Sequence, residues 1–327
     1  MKRRDFITLL GGAAAWPIAA RAQQRSVPVV GLLYISTPDA MRNEVQAVLK
    51  GLSQMGFVEG RNVTVEYRYA SGQFDRIPEL VTDLVRRQVT VIVTANSVAA
   101  ALAAKAATAT TPIVFSTGVD PVQAGLVESL SRPGGNVTGI LSMANEIGAK
   151  RIGLLKELLP GARRLGALVN PTNPLVADAI AADLRTAASA AGLEVEIFPA
   201  GTIGEIDGAF ARFVEQRRDA LILPADALFS ARRAQILTLA TRHSIPTMST
   251  ERENVVAGGL MGYGTITSEM DRLVGLYIGR ILKGEKPADL PVVRPTKFEF
   301  VINLSTARAL GIEVPATLLA LADEVIE

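Results

Sequence analysis

Apolar runs of strand length alternate with stretches of helical spacing along almost the whole chain. Residues 27–36, VPVVGLLYIS, read as a buried strand. In residues 41–56, Val45, Val48, Leu49 and Leu52 share one helical face, and Gly56 closes the helix. Residues 62–70 alternate as a strand, 77–88 have helical spacing, and 89–96 return to a strand. Ser97 is a good N-cap for a helix over 97–108. A strand beginning at Pro112, a helix opening at Pro121 and a strand over 136–143 complete the first half. Continuously apolar strands separated by helices predict a parallel sheet covered on both faces.

The second half repeats the plan. Residues 163–173 answer the first strand, 174–192 the first helix, and Gly192 answers Gly56. Residues 206–226, 239–250 and the run GGLMGYG answer the third, fourth and fifth strand regions with their helices. Gly31 and Gly166 lie about 135 residues apart, as do Gly56 and Gly192, so the register hardly drifts. The predicted fold class is α/β, with two doubly wound parallel-sheet lobes. Lobe 1 is expected to hold 27–142 plus about 265–290, and lobe 2 143–264 plus part of 291–327. The C-terminal pieces, a long amphipathic helix over 268–287 and a strand at KFEFVINLS, lie outside the repeat and suit hinge crossings.

The N-terminus breaks this pattern. Residues 1–24, MKRRDFITLLGGAAAWPIAARAQQ, have a basic start, an apolar middle and an A-x-A site at 20–22. That is the form of a secretory signal cleaved after Ala22, too short for a stable span. Arg3-Arg4-Asp5-Phe6-Ile7 resembles a twin-arginine export signal. Cleavage removes four basic residues and one acid from a chain of net charge +2, leaving −1. The basic balance therefore belongs to targeting and gives no support for nucleic-acid or membrane binding. No cysteine is present, which excludes disulfides, thiolate metal sites and a lipidated N-terminal cysteine; the single histidine, His243, argues against a His-rich metal site. A freely diffusing protein of the periplasm is expected.

Ligands of open parallel α/β sheets sit beyond the carboxyl ends of the strands, where helix N-termini converge. In lobe 1 those ends carry Ser36, Thr37, Asn96, Ser97, Ser116, Thr117, Asp120 and Ser142. In lobe 2 they carry Asn170, Asn173, Asp226 and Tyr263, with Ser249-Thr250 beside them. Hydroxyls and amides dominate and basic residues are few, which suits a small neutral or zwitterionic solute better than phosphate. A ligand carboxylate fits the helix start at Ser97, and an ammonium would need Asp120 or Asp226. Tyr34, Phe115, Phe229 and Tyr263 lie near enough to pack an apolar side chain. Each residue also has a plain structural reading: Asp120 before Pro121 is a standard cap, Ser97 and Asp226 serve as cap and loop acid, Asn170 belongs to turn chemistry, and the aromatics suit a core.

The chain carries no nucleophile elbow, no phosphate loop and no dinucleotide fingerprint, so nothing singles out an enzyme or a cofactor. Residues 112–140, PIVFSTGVDPVQAGLVESLSRPGGNVTGI, and 295–327, PTKFEFVINLSTARALGIEVPATLLALADEVIE, resemble the ABC transporter substrate-binding proteins of the tryptophan/tyrosine-type group. The resemblance spans essentially the whole chain after the leader. It implies a periplasmic-binding-protein fold of the first type, with two lobes joined by three crossings and closing on an amino-acid-like, aromatic or apolar ligand. It implies no chemistry, and partnership with a permease and its ATPase; a monomer is expected. A ligand-sensing subunit for a membrane signalling receptor is the alternative use of the same lobes.

Overall fold

The computed structural model describes residues 27–142, 147–172 and 174–327. The export signal over residues 1–22 and the candidate Asn173 lie outside them. Lobe 1 is built on β1 (Val29–Tyr34), β2 (Thr64–Tyr69), β3 (Val91–Thr94), β4 (Ile113–Thr117) and β5 (Val137–Leu141). They form one sheet in the order β2-β1-β3-β4-β5, with every pairing parallel. Helices α1 (Arg42–Gln54), α2 (Ile77–Arg86) and α3 (Val98–Ala107) connect the first four strands. The strands read as unbroken apolar runs because both faces are buried. Leu33, Ile92, Ile113 and Phe115 pack under α2 and α3. Val30, Leu32, Val91 and Val93 pack on the other face with Val48 and Leu52 of α1.

Lobe 2 repeats the winding. Strands β6 (Arg164–Val169), β7 (Glu194–Pro199), β8 (Ala220–Leu223), β9 (Thr247–Ser249) and β10 (Met261–Thr265) lie in the order β7-β6-β8-β9-β10, again all parallel. Its helices are α4 (Gly148–Leu158), α5 (Pro174–Ala190), α6 (Ile203–Glu215), α7 (Ala227–Ala231), α8 (Arg233–Arg242) and α9 (Arg252–Val256). The duplication reaches individual packing contacts. A Cβ on Gly31 would stand 2.7 Å from Leu84 of α2, and one on Gly166 would stand 2.5 Å from Phe213 of α6. Both glycines let the first strand of their sheet accept the second helix.

The chain then crosses back. Helix α10 (Thr267–Leu282) returns to lobe 1, and β11 (Phe298–Asn303) joins the second sheet antiparallel to β10. With α11 (Leu304–Ala309), α12 (Ala316–Leu321) and β12 (Glu324–Ile326), it extends that sheet to seven strands. The antiparallel entry follows from the third crossing, which brings the chain in from the opposite end. The lobes are thus joined three times: after β5, between β10 and α10, and before β11. The third crossing runs alongside β5, where Val293 bridges Ile140. Near the first two crossings, Arg151 Nε donates to the Tyr263 carbonyl at 2.8 Å, and Ser142 and Thr265 hydroxyls lie 3.5 Å apart.

The helix expected from Pro121 does not form. Residues 121–126 make turns; the Leu126 and Val127 amides both return to the Pro121 carbonyl, and Gly125 takes a φ of +72°. A left-handed residue one turn after the cap ends helical propagation before it begins. Asp120 is spent on that turn, accepting from the Val122 and Gln123 amides at 2.8 and 3.2 Å.

Helix α10 is seated on α1 at backbone contact. A Cβ on Gly275 would lie 2.1 Å from the Val48 carbonyl oxygen, and one on Gly51 would lie 2.0 Å from that of Arg272. Overpacking at a rigid backbone costs about 1–3 kcal/mol or more. Gly275→Val is therefore expected to lower the urea midpoint clearly. Gly153→Ala, on the exposed side of α4 with nothing within 4 Å, should instead gain about 0.5–1 kcal/mol by helix propensity. An unchanged midpoint for Gly275→Val would show that the two helices do not approach this closely.

Candidate functional site

Because all parallel strands of a lobe end on the same edge, their polar termini gather along it. The two edges face each other and enclose a cavity of about 140 Å³. At roughly 10–15 Å³ per water, that space holds several waters or one small solute. Lobe 1 contributes Ser36, Asn96, Ser97, Thr117 and Ser142; lobe 2 contributes Asp226, Ser230, Arg233, Thr250, Glu251 and Glu253. Glu44 of α1 and Met270 of α10 complete the wall beside the crossings, and Ile35, Met41, Phe74 and Val176 give it apolar surface.

Six of the sequence candidates therefore line one cavity: Ser36, Asn96, Ser97, Thr117, Ser142 and Asp226. The others stand behind it or elsewhere. Ser116 is fully buried, and its Oγ accepts from the Asn96 amide at 2.8 Å, holding Asn96 at a φ of +54°. It shapes the wall without lining it. Asn170 Nδ2 donates to both oxygens of Asp226, at 3.1 and 3.2 Å, from behind. Thr37 starts the turn into α1, where its carbonyl accepts from Met41. Asp120 caps its own turn. Tyr263 turns to a separate groove, stacked on Phe298 at 5.8 Å. Phe115 and Phe229 are core residues. Tyr34 is also buried in the core and stacks on Tyr69 at 5.9 Å.

Ser97 caps α3, its Oγ accepting from the Ala100 amide at 3.1 Å. The other first-turn amides of α3 carry the helix's partial positive charge at the cavity edge. Asp226 caps α7, accepting from Leu228 and Phe229 at 2.8 and 3.3 Å. Burial pushes its carboxyl up, against the hydrogen bonds of Asn170 and those two amides.

The charges of the wall are the part that strand-end reasoning missed. Glu251 and Glu253 follow β9 directly in the run STEREN, a visible sequence signal at a strand end. Glu44 lies in the first turn of α1, ten residues past the end of β1 at Tyr34, where counting strand termini does not reach. Arg233 is the lone basic side chain of the wall. Its Nε donates to Asn254 at 2.7 Å and its Nη2 to Glu251 at 3.3 Å. Ser230 donates to the Glu251 carboxylate at 3.0 Å. Even so, desolvation raises the Glu251 carboxyl from 4.5 to about 7. Asp271, on α10 next to Met270, is wholly buried with neither oxygen hydrogen-bonded, and burial raises its carboxyl far above the usual range. Ser36 Oγ and Thr250 Oγ1 are likewise buried without hydrogen-bond partners. Buried hydroxyls without partners cost about 1–3 kcal/mol each, so such a wall is complete only when something polar fills it. Among the described residues, no group of three or more His, Asp or Glu side chains is placed to hold a metal ion. No helix among them is long and apolar enough to cross a membrane.

The chain matches the family model for ABC transporter substrate-binding proteins over residues 29–326. A tyrosine-binding protein of Clostridioides difficile is 27% identical over 285 residues, covering 87% of this chain and 81% of that protein. The ABC domain from Streptococcus pneumonia in complex with L-Trp superposes with a TM-score of 0.84 at 25% identity, covering 92% of this chain and all of that one. The ligand-free, open structure of a substrate-binding protein with adhesive properties from Clostridium difficile gives 0.65, also at 25% identity, covering 92% of this chain and 99% of that one. More distant solved structures include a glucose-galactose binding protein of Geobacillus stearothermophilus, at 11% identity and a TM-score of 0.64, which shares the fold.

The raised carboxyls set a pH dependence. A carboxyl whose folded pKa exceeds its unfolded value binds its proton more tightly when folded, so stability falls as pH rises between the two values. For Glu251 that window runs from 4.5 to about 7, and Glu44, Asp226 and Asp271 act in the same direction. Carboxyls held low by arginines, such as Asp83, Glu269 and Glu324, act with the opposite sign and in more acid solution. The ligand-free protein is therefore expected to melt at a lower temperature at pH 7.5 than at pH 5. Glu251→Gln should flatten part of that decline; a melting temperature that rises steadily over the interval would contradict the assignment.

Proposed function

Starting from a chain that belongs to the ABC transporter substrate-binding family, we propose that it captures an amino-acid-like solute with an aromatic or apolar side chain between its lobes and hands it to a membrane permease. The observation that carries this reading is the cavity closed by both sheet edges, whose buried hydroxyls lack partners within the chain. The first turn of α3, with Ser97 and Asn96, receives the ligand carboxylate. Ile35, Met41, Phe74 and Met270 pack its side chain. The better superposition on the L-Trp complex than on the open, ligand-free relative supports a closed lobe arrangement. Closure then follows from contacts that exist only when both lobes touch the solute. The permease and its ATPase read the closed form, and no bond of the solute is altered.

The leader supports a place of work outside the cytoplasm. Residues 1–22 direct export to the periplasm, and the secreted chain begins at Gln23. N-terminal sequencing of the secreted chain is expected to start there, and replacing Arg3 and Arg4 together by lysine should hold the precursor inside the cell. A secreted chain that keeps its first residues would contradict the leader reading.

Binding is tested by thermal shift across the amino acids. A ligand at about 100 times its Kd stabilises by roughly 2.7 kcal/mol. Tyrosine or tryptophan is expected to raise the melting temperature by several degrees, and Ser36→Ala or Thr250→Val to weaken the response about tenfold in concentration. If no amino acid moves the transition, the solute class is wrong. If the two substitutions leave the response intact, the cavity is not the site.

A further inference from the structure

Two carboxylates line the cavity from opposite lobes. Glu44 stands in the first turn of α1 and Glu253 in the first turn of α9. Both line the cavity, and the negative charge of Glu253 helps to push the Glu44 carboxyl up. Glu44 Oε2 is buried with no hydrogen-bond partner. Of the nearby arginines, Arg233 is hydrogen-bonded to Asn254 and Glu251, and its positive charge draws the Glu44 carboxyl down less than Glu253 pushes it up, while Arg252 forms a two-pronged pair with Glu324 at 2.6 Å. Asp271 feels both glutamates from behind. Alongside them, Ser36 and Thr250, one from each lobe and only 2% and 5% exposed, also lack hydrogen-bond partners for their hydroxyls.

Like charges set across a closing gap oppose closure unless a cation enters between them. An ammonium offers three donors and no acceptor. Two carboxylates and one hydroxyl match that number. We infer that the cleft is built around a cationic nitrogen held between Glu44 and Glu253, so that its ligands are primary amines whose carboxylate is dispensable. The inference rests on the amino-acid reading above and assigns its ammonium to neither Asp120 nor Asp226, both of which are spent on capping. The entering charge turns a repulsion between the lobes into a charge-assisted hydrogen bond from each, which ties recognition of the amine to closing.

Calorimetry on the chain from residue 23 with matched ligands tests it. The set is tyrosine, tyramine and 3-(4-hydroxyphenyl)propionate, together with tryptophan, tryptamine and indole-3-propionate. Each amine is expected within about tenfold of its amino acid, and each acid at least about a hundredfold weaker. Glu44→Gln and Glu253→Gln should each weaken tyramine binding about tenfold or more, while the ligand-free variants melt no lower than the parent because a repulsion has been relieved. Acids that bind as tightly as the amino acids while the amines do not would overturn the inference and leave the amino-acid reading standing. Unchanged tyramine affinity in both variants would do the same. Failure of all six ligands would overturn the amino-acid reading and this inference with it.

Discussion

The structure depends on a constraint of parallel sheets: the five parallel strands of each lobe end on the same edge. Within each lobe the apolar faces of the sheet are covered by helices, so the interior is mostly apolar. The polar termini are therefore concentrated at the carboxyl edges, and the two edges are turned toward one another. Many of these groups find partners in caps and turns, as Ser97, Asp120 and Asp226 do. The Ser36 and Thr250 hydroxyls do not, nor does Glu44 Oε2 of α1, and all three residues border the same space. Buried polar atoms without partners also occur away from this cavity, at Tyr34, Thr94 and Arg151, so it is their gathering around one space that supports a polar occupant.

The hinge serves that arrangement. Three crossings of the chain join the lobes, with the Arg151–Tyr263 and Ser142–Thr265 contacts beside the first two. Helix α10, which carries Met270 to the wall of the cleft with Asp271 buried next to it in sequence, is fixed to α1 by glycines that allow backbone contact. Helix α1 in turn carries Glu44. The position of one cavity carboxylate is thus set by helix packing in lobe 1, and that of Glu253 by the short helix α9 after β9 in lobe 2. Relative motion of the lobes changes the distance between them directly, which makes charge a natural reporter of closure.

Much of the fold was legible in the sequence because it rests on periodicity. The paired glycines about 135 residues apart mark the duplication, and Gly31 and Gly166 occupy equivalent packing positions. The helix expected from Pro121 failed because a cap and a proline describe how a helix starts, not whether it continues; Gly125 ended it. The site was half legible. Strand-end counting found Ser36, Asn96, Ser97, Thr117, Ser142 and Asp226, since those positions follow from topology. It placed Tyr263 in the cleft, whereas the ring stacks on the neighbouring β11. It missed Glu44 and Arg233, which reach the cavity from helices, by side-chain direction rather than by chain order. Glu253, in the run STEREN after β9, also went uncounted although it lies close to a strand end.

Among the relatives, one is a tyrosine-binding protein and another holds L-Trp, each at about a quarter identity over most of the chain. The L-Trp-bound relative shares the fold over most of its length. The most direct measurement is native mass spectrometry of the chain purified from its exported fraction. The account predicts a single adduct of one amine-bearing small molecule, released on unfolding and displaced by excess tyrosine or tryptophan. A bare chain that takes up neither amino acid on titration would contradict it.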